Sequence, residues 1–531
     1  MGATPPEKRL DFWREDPLMN DHHEHWHLVY PASGRPSPNG VVALGDRHGE
    51  LFAYMHQQMI ARYDAERLSD GLSRVRAFDD YRAEIADGYN PEAWLWNGEE
   101  WFLFRARPAG TMIGDLPPRP PDSRPPGWKI SEQETYRDRI SEAGATGSFV
   151  VDAQQIPVEA VNLGDTTEAS LGSIDKRRTT YGDLHNMGHV HFAFYDNQPP
   201  PGVMISIATA VRDPVFWQWH EHIDSIFRDW QEGQSPYDFL DGPPVKIRKS
   251  GDGAIATSPD IILCRKDGLP AEFDGEELGS EAFGYSDDPN QNNWDRDLAS
   301  STVTLRNGET VATTDELITE MRERTINLVD STGNPLPEVI DYLSHDDFFY
   351  FLRVENLSDQ PQSVTVRIFL APETEVEDLT SWIEMDKFLY RLEGSERAVI
   401  FRPADLSSVV RKPALKPEDL TPDDEPSPRA NQQSWCDCGW PYTLLLPRGT
   451  EEGMNFRLFV MFSPGDDLML PEQHAEHCTS VSYCGLQDEE YPDKRHMGYP
   501  FGRPFQDGIS ATVDNRDNIA WRTIRIRCRN R

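Results

Sequence analysis

Two hydrophobic periods divide the chain. In the first half, apolar residues return every three or four positions. Over Glu50 to Leu68 (ELFAYMHQQMIARYDAERL) the residues Leu51, Tyr54, Met55, Met59 and Tyr63 share one face, which predicts a helix. Arg212 to Trp230 has the same texture, with Trp217, His220, Ile223 and Phe227 on a stripe and Pro214 tolerated in the first turn. From Trp13 to about Trp230 the pattern is mostly helical, broken by Pro117 to Pro126 (PPRPPDSRPP), a surface loop because proline extends neither kind of ladder. From about residue 255 the period becomes two. Val364, Val366 and Ile368 share a face, Phe456, Leu458, Val460 and Phe462 do likewise, and Arg522 to Cys528 alternates arginine with isoleucine. Strands of this kind between turn-rich segments predict an antiparallel β-sandwich, interrupted by an acidic proline-rich loop from Pro413 to Pro428. The expected organisation is a helical domain over 1–245 and a sandwich over 246–531.

Charge narrows the partners. The 531 residues include 52 Lys plus Arg against 90 Asp plus Glu, a formal net charge of −38. Such a surface repels phosphate backbones and anionic bilayers, so neither nucleic acid nor membrane is an expected partner. No apolar run approaches the ~18 residues that span a bilayer. Met1 to Asp16 has no apolar signal segment, and Pro6 breaks the myristoylation pattern. The expected location is cytoplasmic, or outside the cell by a route that needs no signal peptide. Cys436, Cys438, Cys478 and Cys484 cluster as C-x-C and C-x₅-C. Two disulfides or a zinc site would fit, and the first spacing is tighter than zinc hairpins prefer.

The histidines carry the chemistry. His23 and His27 are four apart, as are His185 and His189. On a helix this spacing places two imidazoles one turn apart on one face, as two-point metal ligation requires. Chance alone would give about 0.4 such pairs. Each pair is followed by a histidine on a later helical segment, His56 after the first and His220 after the second. That is the layout of a metal site in a helix bundle. Six neutral imidazoles without a carboxylate partner favour copper over magnesium, calcium or manganese. Two three-histidine coppers facing one another could hold dioxygen between them as peroxide. His48, His345 and His496 read as surface or hydrogen-bonded residues. His22, His25, His191 and His222 read as neighbours of the ligands or as solvent-facing. Trp26, Trp217 and Trp219 read as core. The run from His23 to His27 also satisfies the zinc-protease pattern H-E-x-x-H, but the elongated form needs Gly and His where Tyr30 and Ser33 stand.

Several longer segments are recognisable: WRED at 13–16, HHEHWHLVYP at 22–31, GELFAYMHQQMIARYDAERLS at 49–69, YGDLHNMGHV at 181–190 and VRDPVFWQWHEHIDSIF at 211–227. The later half adds VRIFLAPE at 366–373, WIEMDKF at 382–388, CDCGWP at 436–441 and SYCGLQDEEYPDKRHMGYPF at 482–501. In this order they resemble the arthropod-type hemocyanin and prophenoloxidase family, the type-3 dicopper proteins. The resemblance implies a four-helix-bundle dicopper domain followed by an immunoglobulin-like antiparallel β-sandwich. It makes His23, His27 and His56 the ligands of copper A, and His185, His189 and His220 those of copper B. It also implies disulfides Cys436–Cys478 and Cys438–Cys484, leaving Cys264 and Cys528 unassigned.

Three features depart from the family pattern. The family places a long helical domain before the copper A motif and inserts one of its aromatic side chains over the site. Here that motif begins near Met1, which gives the expectation of an open site and of an enzyme rather than an oxygen carrier. Glu24 stands where the family's HHWHWH has tryptophan, next to the ligands but not among them. The stretch Ser206-Ile207-Ala208-Thr209, where family phenoloxidases carry a carboxylate base, has no acid. That weakens the expectation of monophenol hydroxylation. Asn186, directly after the first copper B histidine, matches a position that in dicopper oxidases orients a water acting as base. The expected function is therefore a phenol oxidase that uses two coppers and dioxygen to convert o-diphenols to quinones. Monophenols and o-aminophenols are further candidates, and reversible dioxygen carriage is the alternative. Pro117–Pro126 and Asn197–Gly202 are expected to shape the pocket mouth, the substrate is a small phenol, and a homo-oligomer is allowed.

Overall fold

The computed structural model describes residues 2–3, 5–36, 40–91, 93–96, 101–117, 128–173, 176–248, 260–270, 302–304, 309–329, 334–420, 436–469, 479–487 and 489–529. Its first half is built on α1 (Pro17–Val29), α2 (His48–Ser69), α3 (Ile130–Thr146), α4 (Ala160–Glu168), α5 (Leu184–Ala193) and α6 (Pro214–Glu232). Two of these begin with the same device. Asp16 accepts the Leu18 amide at 2.8 Å and Asp213 the Val215 amide at 3.0 Å, each with proline as the first helical residue. The mostly helical texture expected from Trp13 to Trp230 is interrupted over a longer stretch than the Pro117–Pro126 loop, because no helix lies among the described residues from 71 to 129. Pro118–Pro126 of the predicted proline loop lie outside the described residues.

The helix α2 is enclosed on every side. Nineteen of its 22 residues are buried, so it has no solvent face. One stripe, Phe52 and His56, faces the other helices, with Tyr63 stacked on Trp217 at 4.3 Å between ring centres. A second stripe at i, i+4 and i+8 faces the later half and is polar. The Tyr54 hydroxyl donates to Glu384, Gln58 donates to the Trp382 carbonyl at 3.0 Å, and Arg62 donates to the carbonyls of Glu384 at 2.7 Å and Leu445 at 3.1 Å. Each buried polar group therefore has a partner, which is the condition for such burial to be tolerated.

Two glycines let α4 approach α2. A Cβ at Gly164 would lie 1.9 Å from the Gly49 carbonyl oxygen, and one at Gly49 would lie 2.0 Å from that of Val161. The contact carries the end of α4 to the start of α2, where Glu168 Oε2 meets His48 Nε2 at 2.6 Å with both side chains 1 % exposed.

The second half is a two-sheet sandwich. Its strands are β1 (Val245–Ile247), β2 (Ile261–Arg265), β3 (Glu316–Val329), β4 (Pro335–His345), β5 (Phe348–Asn356), β6 (Gln362–Pro372), β7 (Ile383–Leu392), β8 (Arg397–Pro403), β9 (Met454–Pro464) and β10 (Ile519–Arg529). One sheet has the order β4-β3-β10-β9-β6-β7, and the other β2-β5-β8 with β1 also on β5. All pairs are antiparallel except β3 with β10, which run parallel over Glu316–Glu320. The predicted alternation holds: Val364, Val366, Ile368, Phe456, Leu458, Val460 and Phe462 enter the main core. The opposite face is covered too, since Phe369, Phe459 and Met461 pack with Trp382, Phe501 and Phe505. Cys438 and Cys484 form the disulfide the resemblance implies, with Cα atoms 6.1 Å apart. Cys436 is also disulfide-bonded, and Cys478 lies outside the described residues. Cys264 and Cys528 are buried free thiols. No helix among the described residues is long and apolar enough to cross a membrane.

The glycine contact has a direct consequence. Gly164→Ala pushes a methyl group into the Gly49 backbone, which cannot rotate away, and should cost about 3 kcal/mol. Thermal unfolding of the variant should show a clearly lowered midpoint, whereas Gly71→Ala, where a Cβ meets nothing, should show only the smaller cost of its positive φ.

Candidate metal centre

The structure brings all six predicted histidines to one point between four helices. α1 supplies His23 and His27, α2 His56, α5 His185 and His189, and α6 His220. The i,i+4 pairs project from one turn to the next, with ring centres 4.7 Å apart for His23 and His27 and 4.8 Å for His185 and His189. His56 and His220 join the halves, stacked at 4.5 Å. Two sets have ligating nitrogens within 4.8 Å of one another: His23, His27 and His56, and His56, His185 and His220. His189 lies next to the second set, its ring centre 5.2 Å from that of His220.

The hydrogen bonds decide which nitrogen faces inward. Nδ1 of His23 bonds the Ile207 carbonyl at 2.8 Å, and Nδ1 of His189 that of Met204 at 3.0 Å. His56 and His220 each bond the carbonyl four residues earlier on their own helix, Phe52 and Phe216, at 2.8 Å. His185 Nδ1 bonds the Asn186 side-chain oxygen at 3.1 Å. An acceptor at Nδ1 demands a proton there, so Nε2 is left as a bare lone pair. Nε2 of His23, His56 and His189 is buried without a hydrogen-bond partner, and Nε2 of His185 faces Nε2 of His220 at 3.1 Å. Two lone pairs at that distance repel unless a cation takes both. Lone pairs gathered this way, with Nδ1 tied from behind, fit metal ions.

Burial keeps the rings neutral. It lowers His56 to about 3 and His189 to about 4, and holds His23, His27, His185 and His220 well below the ordinary imidazole value. Desolvation is the largest cause in each, with neighbouring histidines adding to it in every ring but His189.

Sequence reasoning missed Phe52 and Phe216. The Phe52 ring centre lies 4.6 Å from that of His56 and 4.8 Å from that of His185, and Phe216 stacks on His220 at 3.8 Å. The signal was present as F-x₃-H, once per half-site. The carbonyls of Met204 and Ile207 left no signal, because backbone acceptors carry no residue preference. They lie just past the Asn197–Gly202 loop that was expected to border the site.

Of the two readings for His22, His25, His191 and His222, burial of all four removes the solvent-facing one. His22 Nδ1 donates to the Gly439 carbonyl at 2.8 Å, with its ring edge against Trp440. His191 bonds the Gly114 carbonyl at 3.0 Å, and His222 the Tyr81 hydroxyl at 2.8 Å. His48 is a buried partner of Glu168, which raises its pKa against the desolvation that would lower it. His345 is buried between the Asp346 and Tyr442 carbonyls. Trp26, Trp217 and Trp219 are core, as expected. Asn186 is half-buried, its amide nitrogen donating to the Glu168 carbonyl while its oxygen holds His185. Gathering the H-E-x-x-H pair with four more histidines removes the reason to read that pair as a protease motif.

A helical bundle that gathers six histidines, packed against a β-sandwich, fits the architecture of a type-3 copper protein. Residues 2–227 match the family described as hemocyanin, copper containing domain, and residues 310–528 match hemocyanin, ig-like domain. The chain is 33% identical to phenoloxidase subunit 1 of Bombyx mori over 555 residues, covering 99% of this chain and 71% of that one. It is also 33% identical to the hemocyanin AA6 chain of Androctonus australis, covering 94% and 72%. A scorpion hemocyanin structure in its activated state superposes with a TM-score of 0.74 at 30% identity, covering 99% of this chain and 76% of that one. The chain belongs to the hemocyanin and phenoloxidase family, and its first half is a copper-containing domain.

The neutral rings set a pH dependence. Unfolded histidines titrate near 6.5, whereas in the folded chain His56 titrates at about 3, His189 at about 4 and the other four well below the ordinary value. Between those limits the unfolded chain binds more protons, so stability falls as pH falls. The thermal midpoint of metal-free protein should therefore drop steadily from about pH 6.5 toward pH 4. A profile flat across that window would contradict the burial of neutral imidazoles.

Proposed function

We propose that the chain is a dicopper phenol oxidase acting on o-diphenols, with monophenols and o-aminophenols as further candidate substrates. Two diphenols would give two o-quinones, and the four electrons and four protons released would reduce one dioxygen to two waters. The observation that carries this reading is the edge of the cluster. His27 and His189, one from each histidine pair, are only partly buried, so this edge of the cluster is the side from which an aromatic ring would approach.

When bound, the coppers supply the electron transfer from diphenol to dioxygen. His23, His27 and His56 would hold one, and His185, His189 and His220 the other. The chain's further work is positional. The Nδ1 bonds to Ile207, Phe52, Met204 and Phe216 keep four lone pairs aimed inward, and Asn186 does the same for His185. Phe52 and Phe216, both fully buried, close the side away from solvent and keep water off that face. All six imidazoles are committed to ligation and residues 206–209 bring no acid, which favours diphenols over monophenols, since a monophenol needs a base to shed its proton. Water orientation by Asn186 is a second role proposed for that residue. Reversible dioxygen carriage is the competing reading, because a hemocyanin chain is as similar in sequence as a phenoloxidase.

Oxygen uptake by copper-loaded protein, with and without 4-methylcatechol, separates the two. Catalytic consumption dependent on the catechol, falling at least about 100-fold in His189→Ala, is the expected result. Stoichiometric, reversible uptake without turnover would make the chain a carrier.

A further inference from the structure

The two histidine pairs are built alike, and the likeness leaves one side chain unspent. Of the 13 residues of α1, only Glu24, His27 and Leu28 are not buried. Of the ten of α5, only Asn186, His189 and Val190 are not. Both sets have the spacing i, i+3, i+4, which is a single stripe of a helix with Cβ atoms about 5–6 Å apart. Each stripe has a metal ligand at its middle. Glu24 and Asn186 are thus counterparts, each directly after the first histidine of its pair.

Their side chains are used differently. Asn186 holds His185 Nδ1 and bonds the Glu168 carbonyl. On the other side the Ile207 carbonyl takes that place for His23, so Glu24 is not needed there. Among the described residues the Glu24 carboxylate has no hydrogen-bond or ion-pair partner. The acid one turn before it, Asp21, is already paired with Arg411 at 3.0 Å. Residues 203–209, whose carbonyls hold one ligand of each pair, bring no charge to the rim. Their outward side chains are apolar: Ile205 is 38% and Ile207 37% exposed. A partly buried carboxylate without a counter-charge, next in sequence to the His23 that the exposed Ile207 holds through its carbonyl, suits a ligand with an ammonium group and an aromatic ring.

We propose that Glu24 is the specificity determinant of this site, holding the ammonium group of an aminoalkyl-substituted aromatic substrate while the ring rests against Ile205 and Ile207. That the ring is a phenol rests on the oxidase reading; the preference for a cationic ring does not. Calorimetric titration of copper-loaded protein tests it with phenethylamine and phenylacetate, a cationic and an anionic ring that cannot become quinones. Salt at about 0.15 M screens the field of the acidic surface. Phenethylamine should bind at least about tenfold more tightly than phenylacetate. Glu24→Gln should reduce that ratio below about twofold, and Glu24→Asp should restore part of it, with copper content measured in every variant. Equal affinities in the unmodified protein, no binding of phenethylamine, or a ratio unchanged in Glu24→Gln would each overturn the assignment, the last by giving the preference to the overall charge. A cation preference without catechol-dependent oxygen uptake would remove the oxidase reading and leave Glu24 in place. Uptake without the preference would remove Glu24 alone.

Discussion

Six imidazoles have to stay neutral inside protein and five of them are held to point Nε2 at one place, and the surrounding structure follows from that requirement. Burial supplies the neutrality, since desolvation disfavours the charged ring. Direction comes from acceptors at Nδ1. Two are carbonyls of the same helix one turn back, at Phe52 and Phe216. Two come from the irregular segment of residues 203–209, and one is the Asn186 side chain. The helices need only cross at the right height, because the acceptors turn the rings. The arrangement is also expensive without an ion, as unpartnered Nε2 atoms in the interior show.

The same helix that supplies His56 ties the centre to the sandwich. α2 presents Phe52 and His56 to the metal side and Tyr54, Gln58 and Arg62 to the strand that carries Glu384. α1 is held likewise: the Trp26 indole donates to the Tyr483 carbonyl at 3.1 Å, and the Tyr30 hydroxyl to that of the disulfide residue Cys484 at 2.5 Å. The sandwich half is therefore the back wall of the metal centre, and Tyr30, which bonds its disulfide residue Cys484, lies one turn beyond His27. A polar stripe buried between the two halves looks in sequence like a solvent face.

What the residues alone determined is periodicity and chemistry. Helical and strand spacing, the i,i+4 histidines and the two later ones are local facts, and local facts survive in a sequence because a helix brings i and i+4 together wherever it lies. The alternation in β6 and β9 was legible for the same reason. Only the tertiary structure could decide the acceptors at Met204 and Ile207, the parallel pairing of β3 with β10, the burial of His22, His25, His191 and His222, and the isolation of Glu24. Each depends on which distant segment comes to lie against a residue, and a backbone carbonyl or an empty space leaves no letter in the chain.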